Sequence, residues 1–592
     1  MPYAPESWTR ISSATSPAFS KDGSTILHLR GTGLAQVWAM DLEGGNARQL
    51  SFHDEKVAFI RRAPTDERIM WGIDAGGDEL QQFVLLEPGA APRPVTDLPT
   101  VIHDFGAWSP DGTRIAFATN DRDERFHDVV VLDLATGTRT RLFEGPGIVA
   151  ISNWKSDGAT LVMTEDFSSS DQRLFLLDAA SGVATRIPAA APCRYSGVRF
   201  TADGTLMGLT DLGADFMRLC RIDIATGAVT DIFAPAGREV EAWSLSPDGT
   251  QLASIENDRG YSILRVGPTG TDRAAVAGLP PGIVADLAWS PDGTRLAFSA
   301  QGPTAPSGIW LWQDGAVRPV HLPDPKAEAG IDPASLIAFR LVEWTSFDGK
   351  VIPGWYALPR TPAPAAGYPA VVWVHGGPAG QTRANFRADM QLLLDQGFAV
   401  MMPNIRGSTG YGRAYMEADE VALRPDAMAD LAAGRAWLAG QHGIDASRIG
   451  IMGQSYGGWV VLAAITQQPE LWKAAVNYYG IADFVTLLER TGPWRRDHRA
   501  REYGFPGTDD ALFARISPIH HVGNVTAPLL VLHGDRDPRV PMNESDIFVA
   551  AMEQRQKRVR YERFTYAGHG FIRPDHKQRV YAAVAEHFTT HL

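Results

Sequence analysis

Gly453-Gln454-Ser455-Tyr456-Gly457 reads G-x-S-x-G in a chain of 592 residues. A serine hydroxyl is a weak nucleophile at neutral pH. It needs a neighbouring base and donors for the oxyanion that attack creates. The pattern is short, but its setting adds to it. RIGIMG (448–453) precedes it as a strand-like run and GGWVVLAAITQQ (457–468) follows as a helix-like one. The serine therefore falls at a strand-to-helix turn, where a nucleophile elbow exposes its oxygen and leaves backbone N–H groups at the helix start. In that arrangement the partners follow in the order Ser, Asp or Glu, His. LLVLHGDRDPRVP supplies Asp535 and Asp537 just after a strand, and FTYAGHGF supplies His569 between two glycines after another. Ser455, Asp537 and His569 meet the order. His520 and His521, after Ser517-Pro518, read as polar loop or helix-cap residues. Upstream, VVWVHGGPAG puts Gly376 and Gly377 directly after a strand, placed to donate a second oxyanion N–H beside that of Tyr456. RGSTGYGR (406–413) is glycine-rich but lacks G-K-[ST], so it is not read as a phosphate loop.

The elements that must carry these residues alternate. AVVWV (370–374), FAVMMPN (398–404), AAVNYY (474–479) and LLVLHG (529–534) read as strands; 426–441 and 576–592 read as helices. Such alternation predicts a doubly wound, mostly parallel sheet. FRLVEWTSFDGKVIPGWYALP (339–359) reads as an antiparallel hairpin leading into it.

The first half has a different grammar. A Ser-Pro-Asp-Gly-like phrase followed by an alternating apolar run recurs, placing aspartates at 22, 66, 111, 157, 203, 248 and 292, each 44 to 46 residues from the next. Asp-Gly supplies a turn and alternation supplies a half-buried strand. A period near 45 is that of a four-stranded propeller blade. The expected organisation is an N-terminal extension (1–11), a seven-bladed β-propeller (12–325) and an α/β-hydrolase domain (326–592).

Composition bounds the rest. Hydrophobic residues make up 44% and charged residues 21%, ordinary for a globular chain. Net charge is −13 and the pI is near 5.6, which argues against a nucleic-acid or anionic-membrane partner. Cys193 and Cys220 are the only cysteines, which suits a reducing compartment. No basic start followed by an apolar run opens the sequence and no apolar stretch nears 18 residues, so a cytoplasmic protein is expected. No cofactor or metal is called for by this chemistry. A homo-oligomer is compatible with the sequence.

HGGP (375–378), RGSTGYG (406–412), GQSYGG (453–458), HGDRDPRVP (533–541) and GHG (568–570), in this order behind seven repeats, resemble the prolyl oligopeptidase family of serine peptidases, and within it the acylaminoacyl-peptidase-like branch. The resemblance implies Ser455 as nucleophile and His569 as base. It implies Asp537 rather than Asp535 as acid, four residues after His533. It implies Tyr456 and Gly377 as oxyanion donors and Arg539 as a ligand of a substrate carbonyl beside the scissile bond. Gln454 stands where relatives more usually have Gly or Trp. 421–430 lacks their Trp-Gly, and no Glu-Glu pair typical of amino-terminus recognition is identifiable. The expected substrate is a short or N-blocked peptide, with an esterase using the same triad as the alternative. Tyr479, Phe484 and Leu488 are candidates to line the pocket for the residue before the cleaved bond.

Overall fold

The computed structural model describes residues 2–592. Residues from Ser13 to His321 form seven small antiparallel sheets, six of four strands and one of three, each built from consecutive strands. The three-stranded sheet (Glu239–Leu245, Gln251–Asp258, Tyr261–Pro268) has only an Arg265–Ala275 bridge where its fourth strand would lie. The repeated aspartate explains itself in the turn between the first two strands of a blade. Ser109 Oγ donates to Asp111 Oδ1 at 2.6 Å, the Thr113 N–H donates to the same oxygen at 3.0 Å, and the Arg114 N–H donates to Ser109 Oγ at 2.9 Å. Gly112 takes a φ of +70°, which glycine adopts without strain. The same bonds recur at Asp248 and Asp292.

No strand is exchanged between the first and last blades. Their seam is closed by apolar packing of Ala14, Phe19, Ile26 and Met40 on Ala297, Ile309, Leu311 and Val320, and by Ser307 Oγ donating to the Ala14 carbonyl at 2.9 Å. The N-terminal extension does not join the ring. The Tyr3 N–H donates to Asp395 at 2.6 Å, and Trp8 packs with Ala329, Leu392 and Ala585, all beyond the propeller.

The C-terminal half holds one eight-stranded sheet: β1 (Arg340–Thr345), β2 (Val351–Ala357), β3 (Tyr368–Val374), β4 (Ala399–Pro403), β5 (Ile444–Gln454), β6 (Ala475–Tyr478), β7 (Leu529–Gly534) and β8 (Val559–Phe564). Their order is 1-2-4-3-5-6-7-8; β1, β2 and β4 pair antiparallel and the rest parallel. Helices Arg424–Ala439 and Tyr456–Gln467 cover one face, Ala388–Asp395 and Pro574–His591 the other, and each face has its own apolar core. The central strands are apolar nearly throughout because both faces are covered. This is a seven-bladed propeller joined to an α/β-hydrolase. The carboxyl ends of β3, β4, β7 and β8 lead into segments that meet the propeller.

Candidate active site

Ser455 sits between β5 and the helix Tyr456–Gln467 with φ +58° and ψ −120°, a conformation a non-glycine residue holds only when its surroundings enforce it. The flanking glycines show what enforces it. A Cβ at Gly457 would collide with the Val374 and His375 carbonyl oxygens, and one at Gly458 with Asn477 and the Gly480 backbone. The elbow thus lies hard against the ends of β3 and β6. Beneath it the Tyr456 hydroxyl donates to Asp419 Oδ2 at 2.8 Å. Arg424 pairs with the same carboxylate, both side chains wholly buried. Neither Asp419 nor Arg424 was signalled by the sequence: no local pattern marks a pair that only the fold brings under the elbow.

His569 Nδ1 lies 2.7 Å from Asp537 Oδ2. The Arg539 and Val540 N–H groups each donate to Asp537 Oδ1 at 2.9 Å. Burial by itself would raise this carboxyl's pKa, but the attraction and hydrogen bond of His569, with His533 3.7 Å away, outweigh it and hold Asp537 well below the usual carboxylate range. His533, also buried, is fixed by Ser545 Oγ (2.7 Å) and the Val540 carbonyl (2.8 Å). Asp535, by contrast, is exposed. Tyr479 packs its ring 4.6 Å from that of His569, and its hydroxyl donates to Gln454 Oε1 at 3.2 Å. Ser455 Oγ makes no hydrogen bond with His569 in this conformation; such bonds commonly tighten only in the substrate complex.

Gly376 and Gly377 approach the serine from β3. A Cβ on Gly376 would stand 3.2 Å from Ser455 Cβ, and Gly377 has φ +142°. The second glycine-rich loop supports this one. Ser408 Oγ lies 2.9 Å from Nε2 of the buried His375, whose Nδ1 is 2.8 Å from the Gly376 oxygen. Arg406 anchors the loop through Asp430 and Asp348. The stretch 406–413 that sequence reasoning left without a role is therefore a buttress.

Ser455, Gly377, His569, Tyr479 and Arg539 all line one cavity of about 740 Å³. A smaller recess of about 70 Å³ opens from the same serine, lined by Gly377, Ile481, Leu487, Thr491, Tyr503, Val540 and three arginines, Arg495, Arg499 and Arg539. Tyr479, expected in such a pocket, lines only the large cavity, and Phe484 and Leu488, expected with it, line neither. Both are buried in the core, Phe484 against Trp459, Tyr503 and Phe513. The reason is helical phase: in Phe484–Arg490 positions 484, 487 and 488 share the inward face, and of the three only Leu487 also borders the recess. His520 and His521 lie in a 3₁₀ segment, Pro518–Asn524, away from both cavities.

The propeller touches the loops of this site. The Gly568 N–H donates to the Gly76 carbonyl at 2.8 Å, Arg539 pairs with Glu79 at 2.5 Å, and Tyr566 bonds Glu55. Further round, Arg383 pairs with Glu241 at 2.7 Å and Ala414 N–H donates to Asp215 at 2.8 Å.

Residues 384–592 match the prolyl oligopeptidase family. Dipeptidyl aminopeptidase BIII of Pseudoxanthomonas mexicana is 28% identical over 547 residues, 88% of this chain and 78% of that protein. The human acylamino-acid-releasing enzyme is 30% identical over 220 residues, 35% of this chain and 30% of that protein. Among solved structures, a puromycin hydrolase superposes with a TM-score of 0.88 at 19% identity, covering 100% of this chain and 96% of its own; at that identity the likeness is one of fold.

Proposed function

The chain belongs to the prolyl oligopeptidase family of serine peptidases, and from that premise we propose that it hydrolyses short peptides, free or N-blocked, through an acyl-enzyme on Ser455. The Asp537–His569 hydrogen bond is the observation that carries this reading. With Nδ1 engaged by Asp537, Nε2 of His569 is the nitrogen free to take the Ser455 proton as the hydroxyl attacks a peptide carbonyl. Asp537, held ionised by its own surroundings, fixes the ring and stabilises the imidazolium that forms. The N–H groups of Tyr456 and Gly377 receive the oxyanion, each worth about 3–4 kcal/mol in sites of this kind. His569 then protonates the leaving amine, and water repeats the attack on the ester. Arg539, which lines both cavities, holds a substrate carbonyl beside the scissile bond.

The propeller acts by exclusion. Its contacts with the His569 and Arg539 loops support a site that short or unfolded chains reach and folded proteins do not. No helix among the described residues is long and apolar enough to cross a membrane, and the two free, buried cysteines support a cytoplasmic setting.

The test is product analysis by mass spectrometry on a mixed library of free and acetylated peptides, run beside nitroanilides and nitrophenyl esters. Cleavage of short amides with a folded protein left intact is expected. Rapid ester turnover with no amide cleaved would make the protein an esterase.

A further inference from the structure

Three arginines line the small recess beside Ser455, and no carboxylate does. Arg499 pairs with Glu502 at 2.7 Å and Arg539 with Glu79 at 2.5 Å. Arg495 has neither a side-chain hydrogen bond nor an ion pair among the described residues, although it is half-buried and faces the same recess. Burial, and then repulsion from Arg499 and Arg539, pull its pKa down to about 10 against a weaker attraction from Glu79, so the guanidinium remains charged at neutral pH with no anion bonded to it. A desolvated cation left without a partner is costly unless something else supplies the anion.

Position says which part of a substrate that would be. The leaving amine must lie near His569, because His569 protonates it. His569 lines the large cavity and not the recess, whereas Ser455 and Gly377 line both. The recess is therefore on the acyl side, where the residue whose carbonyl is attacked puts its side chain. Its walls, Ile481, Leu487 and Val540, suit a short methylene stem, and its arginines suit a carboxylate at the end of it.

We propose that this peptidase prefers an acidic residue, Glu or Asp, immediately before the cleaved bond, with Arg495 as the residue that selects it. The inference rests on the peptidase reading above, and it deepens that reading. No oligopeptide of a particular length is required by it. A carboxylate at the substrate's own C-terminus would lie on the leaving side, away from the recess.

The experiment is a panel of acetylated dipeptide nitroanilides differing only in the residue before the nitroanilide: Glu, Gln, Asp, Asn, Leu and Phe. The Glu substrate is expected to exceed its isosteric Gln partner in kcat/KM by roughly tenfold or more, the scale of a hydrogen bond to a charged group. In Arg495→Met that ratio should fall towards one, and in Arg495→Lys it should be partly kept. Equal rates for Glu and Gln in the unaltered protein overturn this proposal and leave the peptidase reading standing, with no variant needed. An R495M variant that slows every substrate by one common factor also overturns it. Failure to cleave any nitroanilide while an ester is turned over overturns both readings together.

Discussion

Asp111 in the propeller and Asp537 in the hydrolase both hold their protons less tightly than a free aspartate, by opposite routes. Asp111 is exposed at a turn, and hydrogen bonds from Ser109 and Thr113 bring it down to about 2. Asp537 is buried against the tendency of burial to raise it, and the imidazoles of His569 and His533 more than reverse that. The first arrangement is repeated around the ring and its members do the same work, closing a hairpin. The second occurs once, and its partners differ in kind: an imidazole from the loop after β8, and the N–H groups of Arg539 and Val540 from its own loop. Repetition marks residues that shape the fold; a unique constellation that fixes a charge against burial marks residues placed for chemistry.

The comparison can be broken or sharpened by substitution. The largest effect is expected at Ser455→Ala, which should lower kcat by about 10⁴–10⁶-fold with the melting temperature retained; unchanged turnover in single-turnover assays would move the nucleophile elsewhere. Next is Gly568→Ala. The added methyl has no room against the Gly77 carbonyl of the propeller, and a clash of about 1–3 kcal/mol should reduce kcat/KM by roughly ten- to a hundredfold. Wild-type rates from this variant would show that the His569 loop tolerates separation from the ring. Arg539→Ala should raise KM roughly tenfold for peptides and less for small esters, and equal shifts for both would leave Arg539 a structural role. The smallest catalytic effect, none, is expected at Asp111→Ala. Losing the turn's hydrogen bonds should cost about 1 kcal/mol and lower the melting temperature by a few degrees. A loss of kcat/KM there would erase the distinction between the two kinds of aspartate.

Acid provides a further separation. Asp22 and Asp111 have pKa values depressed to about 2, so their support of the ring is complete above the unfolded value near 4. It fades as pH falls through about 4 towards 2. Circular dichroism across that window should report loss of the blades.

Much of this was readable before the structure. The seven blades follow from a 45-residue spacing, because every blade needs the same turn at the same point. The elbow follows from Ser455 lying between an apolar strand and an apolar helix. Asp537 is less local: its sequence neighbour Asp535 has the same side chain, and only its seat between His533 and His569 distinguishes it. The recess was misread at Phe484 and Leu488 because the apolar residues of a short helix cannot be sorted into core and pocket without knowing what covers each face. Arg495 and Arg499 were invisible for a related reason. TGPWRRDHRARE carries four arginines, and nothing in that order says which turn inward.

The seam of the ring has one more implication. A closed circle of sheets needs something to stop its first and last members drifting apart, and here no shared strand does so. Blade seven runs directly into the hydrolase, while the segment before blade one returns to it through Tyr3 and Trp8, and the Ser12 N–H and hydroxyl reach Glu328 at 2.7 Å. Both loose ends of the circle are therefore tied to one body. The hydrolase is the clasp of the ring, so trimming the first dozen residues should slacken a necklace whose beads touch a site far along the chain.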